Sequence, residues 1–138
     1  MSLAATKEEL EQLIAAWPFI RSAGYVIEAL GDGECTIRVP FRIETERPGG
    51  VVSGPTYMGA ADGAMWLAIL TKLGAQDGSV TAEMKTNFLS GARREDFLCS
   101  AKILKLGRKL IFGVAECRTA EGKLLTHHTL TYARDSSR

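Results

Sequence analysis

Net charge is almost absent from this sequence: 17 lysines and arginines stand against 16 aspartates and glutamates, leaving +1 at pH 7. That balance excludes partners held by bulk electrostatics, nucleic acid and anionic membrane surfaces among them. Cysteine is scarce. Cys35, Cys99 and Cys117 are odd in number, far apart and without metal-ligand spacing. They are expected as buried or idle thiols of a reducing cytoplasm, which excludes a disulfide framework. The two histidines, His127 and His128, are neighbours on an expected strand, so they face opposite ways and cannot chelate one metal. Glycine-rich nucleotide motifs are missing, since "GDG" and "PGG" read as turns. Ser53, Ser79 and Ser100 lack the surroundings of a nucleophile elbow. The opening "MSLAATKEELEQLIAAW" is charged and amphipathic, unlike a secretion signal. No repeat or low-complexity stretch occurs.

What remains is ordinary for a folded enzyme-sized chain: 138 residues, 46% hydrophobic and 24% charged. The length predicts a single domain over 1–138 with a real core. An N-terminal helix is expected over about 1–19. Its clearest part is "TKEELEQLIAA", with Thr6 as N-cap, Glu9 completing a capping box, and Leu10, Leu13 and Ile14 on one face. A hairpin follows, "GYVIEAL" and "CTIRVPF" joined at "GDGE". The segment "RIETERPGG" is expected to be irregular. After a long apolar element over 53–73 come the strands "SVTAEMKTNFL", "FLCSAKILKL", "KLIFGVAECR" and "KLLTHHTLTYA", separated by turn signals. The tail "RDSSR" is expected to fray. Connections this short exclude parallel crossovers, so the pattern predicts an α+β fold with a curved antiparallel sheet around one long helix.

That helix raises the functional question. The eighteen residues "SGPTYMGAADGAMWLAIL" carry one charge, Asp62, together with a proline and three glycines. The run barely reaches spanning length and holds an acid, which excludes a membrane helix. A helix apolar all round is instead a buried one. Ser53 can cap it and Pro55 suits its first turn, while Gly54 between them keeps a free backbone N–H. Small residues at 59–61, 63 and 64 let a ligand or another backbone approach closely. A carboxylate in such a run must be paired, neutralised or open to a cleft. Asp62 therefore either meets a loop backbone or an arginine such as Arg47, or is a catalytic carboxylate. Gly54 and Asp62 lie roughly 12 Å apart along one helix at 1.5 Å per residue. To meet on one substrate atom they need two antiparallel copies of the helix in a twofold dimer.

The stretches "GGVVSGPTYMGAADGAMWLAIL", "VTAEMKTNFL" and "GRKLIFGVAECRTAEGKLLTHHTLTYA" resemble the hotdog-fold acyl-CoA thioesterases of the phenylacetyl-CoA thioesterase (PaaI-like) family, over about residues 20–133. The resemblance implies a hotdog fold, thioester hydrolysis without a metal, and coenzyme A entering as part of the substrate rather than as a cofactor. It implies that the Gly54 N–H polarises the thioester carbonyl. Asp62, from the neighbouring subunit, would serve as nucleophile or general base, with Thr81 supporting it. Ser53 and Pro55 would flank the substrate, and a homodimer, as a dimer of dimers, would be the working form. Members usually carry His-Gly-Gly where this chain has Ser53-Gly54-Pro55, and often Asn where it has Arg47. Arg93-Arg94 and Arg108-Lys109 are either solvated charges or contacts for the phosphates of coenzyme A. The alternative function is an acyl-CoA-binding or sensing protein of the same fold without turnover.

Overall fold

The computed structural model describes residues 2–135. Helix α1 (Lys7–Ala16) starts with the expected capping box: Glu9 N donates to Thr6 Oγ1 at 3.1 Å and Thr6 N to Glu9 Oε1 at 3.0 Å. Leu10 and Ile14 are its buried face. The helix expected over about 1–19 is in fact two. Pro18 disfavours helical geometry in the residue before it, so Trp17 turns extended, and a short α2 (Pro18–Arg21) follows.

Strands β1 (Val26–Gly31) and β2 (Glu34–Val39) form the expected hairpin. The segment expected to be irregular is partly ordered: a 3₁₀ turn at Ile43–Thr45, then β3 (Glu46–Arg47) paired with β4 (Val51–Val52) around Gly49 and Gly50. Two-residue strands are too short to leave a periodic signal. Helix α3 (Gly54–Leu73) occupies the expected place and stops at Gly74, whose φ of 96° suits glycine. Four long strands close the fold: β5 (Val80–Phe88), β6 (Phe97–Leu106), β7 (Leu110–Thr119) and β8 (Leu124–Ala133).

These strands and the first hairpin make one six-stranded antiparallel sheet in the order β1-β2-β6-β7-β8-β5. Along β2, β7 and β8 buried residues alternate with more exposed ones, as strands with one face on a core require. The buried face holds α3, where Met65, Leu67, Ile69 and Leu70 are fully enclosed. At Gly113 on β7 the helix comes so close that a Cβ would meet the Met65 side chain and the Lys102 carbonyl. The result is the hotdog arrangement, a sheet curled around one helix. No helix among the described residues is long and apolar enough to cross a membrane.

β5 lies at the edge of the sheet and does not alternate: almost every residue is exposed, Val80 at 61% and Phe88 at 56%. Beyond β8 the chain stays ordered for longer than expected. Arg134 is tied down rather than frayed, its backbone N–H on the Lys109 carbonyl at 2.9 Å and its guanidinium on the Gly107 carbonyl at 3.0 Å. The last three residues of "RDSSR", 136–138, lie outside the described residues.

Candidate active site

Gly59, Asp62, Gly63 and Trp66 follow the spacing i, i+3, i+4, i+7, so they share one stripe of α3. The stripe faces a cleft of about 420 Å³. Phe19 and Ile20 of α2, Tyr25 and Val80 form its apolar walls, and Ser79, Thr81 and Tyr132 its polar edge. Phe19 and Trp66 meet with ring centroids 6.1 Å apart. The break at Pro18 thus has a use: it turns the chain so that α2 lies over the cleft.

Among the described residues Asp62 has no salt bridge and no bond to a loop. Thr81 Oγ1 donates to its Oδ1 at 2.7 Å, and the Tyr132 hydroxyl donates to the same oxygen at 2.6 Å. That hydroxyl also lies 3.0 Å from the Asp62 carbonyl oxygen. Arg47, the sequence's candidate partner, is exposed on β3, and among the described residues no ion pair joins it to Asp62. Oδ1 is saturated by two donors. Oδ2 has no hydrogen bond among the described residues and is not a walled-in atom. A carboxylate pinned through one oxygen and open through the other has fixed aim and a free lone pair.

Burial, and after it the charge of Asp62, pushes the Tyr132 phenol well above its usual range. Burial chiefly does the same for Tyr25. Both phenols are therefore neutral at working pH, and Tyr132 is a donor. Sequence reasoning missed Tyr132. Alternation along "TLTYA" points Leu130 and Tyr132 inward, and a buried tyrosine hydroxyl usually finds a partner, but nothing local names Asp62 as that partner.

The small residues of α3 have an unexpected tenant. A Cβ on Gly63 would lie 2.8 Å from Tyr25 Cε2, and one on Gly59 3.6 Å from the Tyr25 hydroxyl. The ring of Tyr25, rather than a ligand or a second backbone, rests on this turn.

Gly54 is the first residue of α3, so its N–H has no acceptor within the helix. The ring of Phe88 lies over it, 3.1 Å from where a Cβ would stand. Ser53 occupies the N-cap position, but its hydroxyl pairs with that of Thr56 at 2.7 Å and leaves the helix backbone alone. Pro55 is exposed beside it. Within one chain, then, Thr81 meets Asp62 and Phe88 neighbours Gly54. β5 runs beside α3 in the opposite direction, with the two candidate groups at its opposite ends.

The basic pairs part in the same way. Arg93 and Arg94 are near the Gly54 end: Arg93 Nη1 holds the Gly49 carbonyl at 2.8 Å, and Arg94 is paired with Glu46 at 2.9 Å. Arg108 and Lys109 are exposed in the β6–β7 turn, next to the Leu110–Ala133 and Ile111–Tyr132 pairs at the Asp62 end. His128 is fully buried, bonded to Thr86 through Nδ1 at 2.8 Å and to Thr126 through Nε2 at 2.7 Å, a satisfied core residue away from the cleft. Cys99 and Cys117 face one another in register across β6 and β7, both buried.

A family model described as the thioesterase superfamily matches residues 49–126, which include α3, β5, β6 and β7. The chain belongs to the thioesterase superfamily. It is 37% identical over 95 residues to a protein of Saccharolobus solfataricus provisionally named an esterase, covering 69% of this chain and 67% of that one. A thioesterase from Haemophilus influenzae of known structure superposes with a TM-score of 0.86 at 26% identity, covering 96% of this chain and 94% of its own. A hypothetical thioesterase from Streptococcus pneumoniae, crystallised with coenzyme A, shares the fold at 18% identity, with a TM-score of 0.76 over 83% of this chain and 90% of its own.

Proposed function

We propose that this protein is an acyl-CoA thioesterase of the phenylacetyl-CoA thioesterase-like kind, hydrolysing the thioester to free acid and coenzyme A in a site completed by a second copy. The observation that carries the reading is the Asp62 carboxylate, held through Oδ1 by Thr81 and Tyr132 and open through Oδ2 beside an apolar cleft. Oδ2 either takes the proton of a water that attacks the thioester carbonyl carbon and returns it to the leaving thiolate, or attacks that carbon itself. The second course gives a mixed anhydride that a water then hydrolyses to the free acid, supplying the proton. The carbonyl oxygen gathers negative charge, the carbon–sulfur bond breaks, and the thiolate leaves to take up a proton as coenzyme A. A developing oxyanion calls for a backbone N–H at a helix start, and loss of such a donor typically costs about 10²–10³ in rate. The Gly54 N–H is of that type, but Asp62 of the same chain lies about 12 Å away along the helix.

A second copy resolves this. β5 is an edge strand with exposed apolar residues, the kind of edge that stable proteins cover or pair. Pairing β5 antiparallel with its twin sets the Thr81 end of one strand against the Phe88 end of the other. Asp62 then shares a site with Gly54 of the partner subunit. Arg108 and Lys109, at the Asp62 end of the sheet, suit the phosphates of coenzyme A better than Arg94, which Glu46 already occupies. The streptococcal relative crystallised with coenzyme A supports this choice of carrier.

The test is thiol release from a panel of acyl-CoA esters, read with a thiol-reactive dye. Asp62→Asn still accepts the bonds of Thr81 and Tyr132 but puts an amide where Oδ2 was. It is expected to lower kcat at least about 10²-fold, in line with general-base contributions, while dimer and coenzyme A binding persist. Hydrolysis at the parental rate by a folded Asp62→Asn protein would overturn the proposal. Tight binding without release by the parental protein would favour the sensing alternative.

A further inference from the structure

Tyr25 belongs to no motif, yet it borders the empty space on both sides of the Gly59 turn of α3. It lines the 420 Å³ cleft beside Asp62. It also lines a separate cavity of about 180 Å³ toward the start of α3, bounded by Val39, Pro40, Arg42, Pro55 and Thr56. Tyr25 and Gly59 are the two residues common to both. The ring crosses the helix from Gly63, where its Cε2 sits 2.8 Å from the place of a Cβ, to Gly59, where its hydroxyl sits 3.6 Å from one. It stands as a partition between two hollows on one helix, and the glycines beneath it let it lie flat there.

We infer that Tyr25 is the specificity-determining residue of the site: it closes the end of the acyl cleft and sets the greatest length of acyl chain that reaches Asp62. This rests on the thioesterase reading of the same site. The cleft is walled by Phe19, Ile20, Trp66 and Val80, surfaces that suit an apolar acyl group and not the charged carrier. Its volume is nearly three times the ~150 Å³ that holds a benzene in an apolar cavity, enough for a medium chain or a substituted ring. A longer chain passing over Asp62 toward the helix start meets the face of Tyr25 first. Without the ring, the cleft runs on into the second cavity between Pro40 and Pro55.

The hydroxyl makes no hydrogen bond among the described residues, so the partition depends on the ring and not on a polar tie. Tyr25→Phe should therefore preserve the length limit, and Tyr25→Ala should abolish it. Tyr25→Leu, which keeps an apolar side chain over the glycines, serves if the alanine variant does not fold.

The experiment measures kcat/KM for straight-chain acyl-CoA esters from two to sixteen carbons in the parental protein and the three variants. In parallel, calorimetry measures binding of the same esters to Asp62→Asn and to Asp62→Asn combined with Tyr25→Ala. The expected result is an optimum moved by at least two carbons toward longer chains in Tyr25→Ala or Tyr25→Leu, with the long-to-short ratio of kcat/KM raised tenfold or more. Tyr25→Phe should follow the parental profile. A folded Tyr25→Ala or Tyr25→Leu protein with an unmoved length profile, in turnover and in binding, would overturn the inference. If no form turns over but the binding profile moves as described, the thioesterase reading fails and the partition stands.

Discussion

In the proposed mechanism the chemistry turns on Asp62 and on Tyr132, which bonds it. A hydrogen bond to a charged acceptor contributes about 1.5–3 kcal/mol, and Tyr132 is buried, at 3% exposed. Tyr132→Phe is expected to lower the melting temperature and to loosen the aim of the carboxylate, reducing kcat about tenfold with KM little changed. In an Asp62→Asn background the same change should cost almost no further rate, because residues acting as a unit do not add. Equal rate losses in both backgrounds would place Tyr132 outside that unit. The phenol also links stability to pH. Its folded pKa is raised above the unfolded value of 10.0, so its contribution is complete below pH 10 and is lost as pH rises beyond. Alkaline unfolding followed by circular dichroism should accordingly begin at higher pH in Tyr132→Phe than in the parental protein, relative to each protein's neutral stability.

Gly59 and Gly63, inside α3, give a sharper test at the level of the element. Glycine inside a helix is less stable than alanine by roughly 0.5–1 kcal/mol. At Gly59 a Cβ makes ordinary contact at 3.6 Å, so Gly59→Ala should raise the melting temperature by roughly 2–5 °C for a chain of this size. At Gly63 the Cβ would sit 2.8 Å from the Tyr25 ring, so Gly63→Ala should gain nothing and should displace the ring from the cleft. Scanning calorimetry separates the two, and equal gains would mean that Tyr25 does not hold the place assigned to it. The contrast also marks how far the sequence could be read. The limits of α3 were legible because Ser53, Pro55 and Gly74 are local signals, and the strands because turn signals separate them. The small residues announced a close approach but not the group that makes it, since Tyr25 lies thirty-odd residues upstream and packs only in three dimensions. The Asp62–Thr81 contact was implied by the family resemblance, whereas the Asp62–Tyr132 contact spans seventy residues and had no local mark. The break before Pro18 needed only the rule that the residue preceding proline avoids helix, and the β3–β4 pair was too short for any pattern to show.

For the whole molecule, the arrangement of charges and edges decides between copies and carriers. Arg108 and Lys109 are exposed with no ion pair among the described residues, whereas Arg94 is engaged with Glu46. Replacing Arg108 and Lys109 together with alanine should raise KM for acyl-CoA several-fold with little change in kcat, the signature of a contact made equally in ground and transition states. The Arg93 and Arg94 double variant should change KM less. Unchanged KM in the first variant would remove the β6–β7 turn from the site. The shared site is tested most directly by mixing subunits. Asp62→Asn lacks the carboxylate, and Gly54→Pro lacks the helix-start N–H at a position where proline suits the first turn, provided the Phe88 ring beside it gives by a few tenths of an ångström. Each protein alone should be nearly inactive. Unfolded together and refolded at equal amounts, half the dimers are mixed and each mixed dimer holds one intact site. Thiol release should therefore return to about a quarter of the parental rate, given random twofold pairing. A refolded mixture of dimers no more active than its two components would contradict an active site built from Asp62 of one copy and Gly54 of the partner subunit.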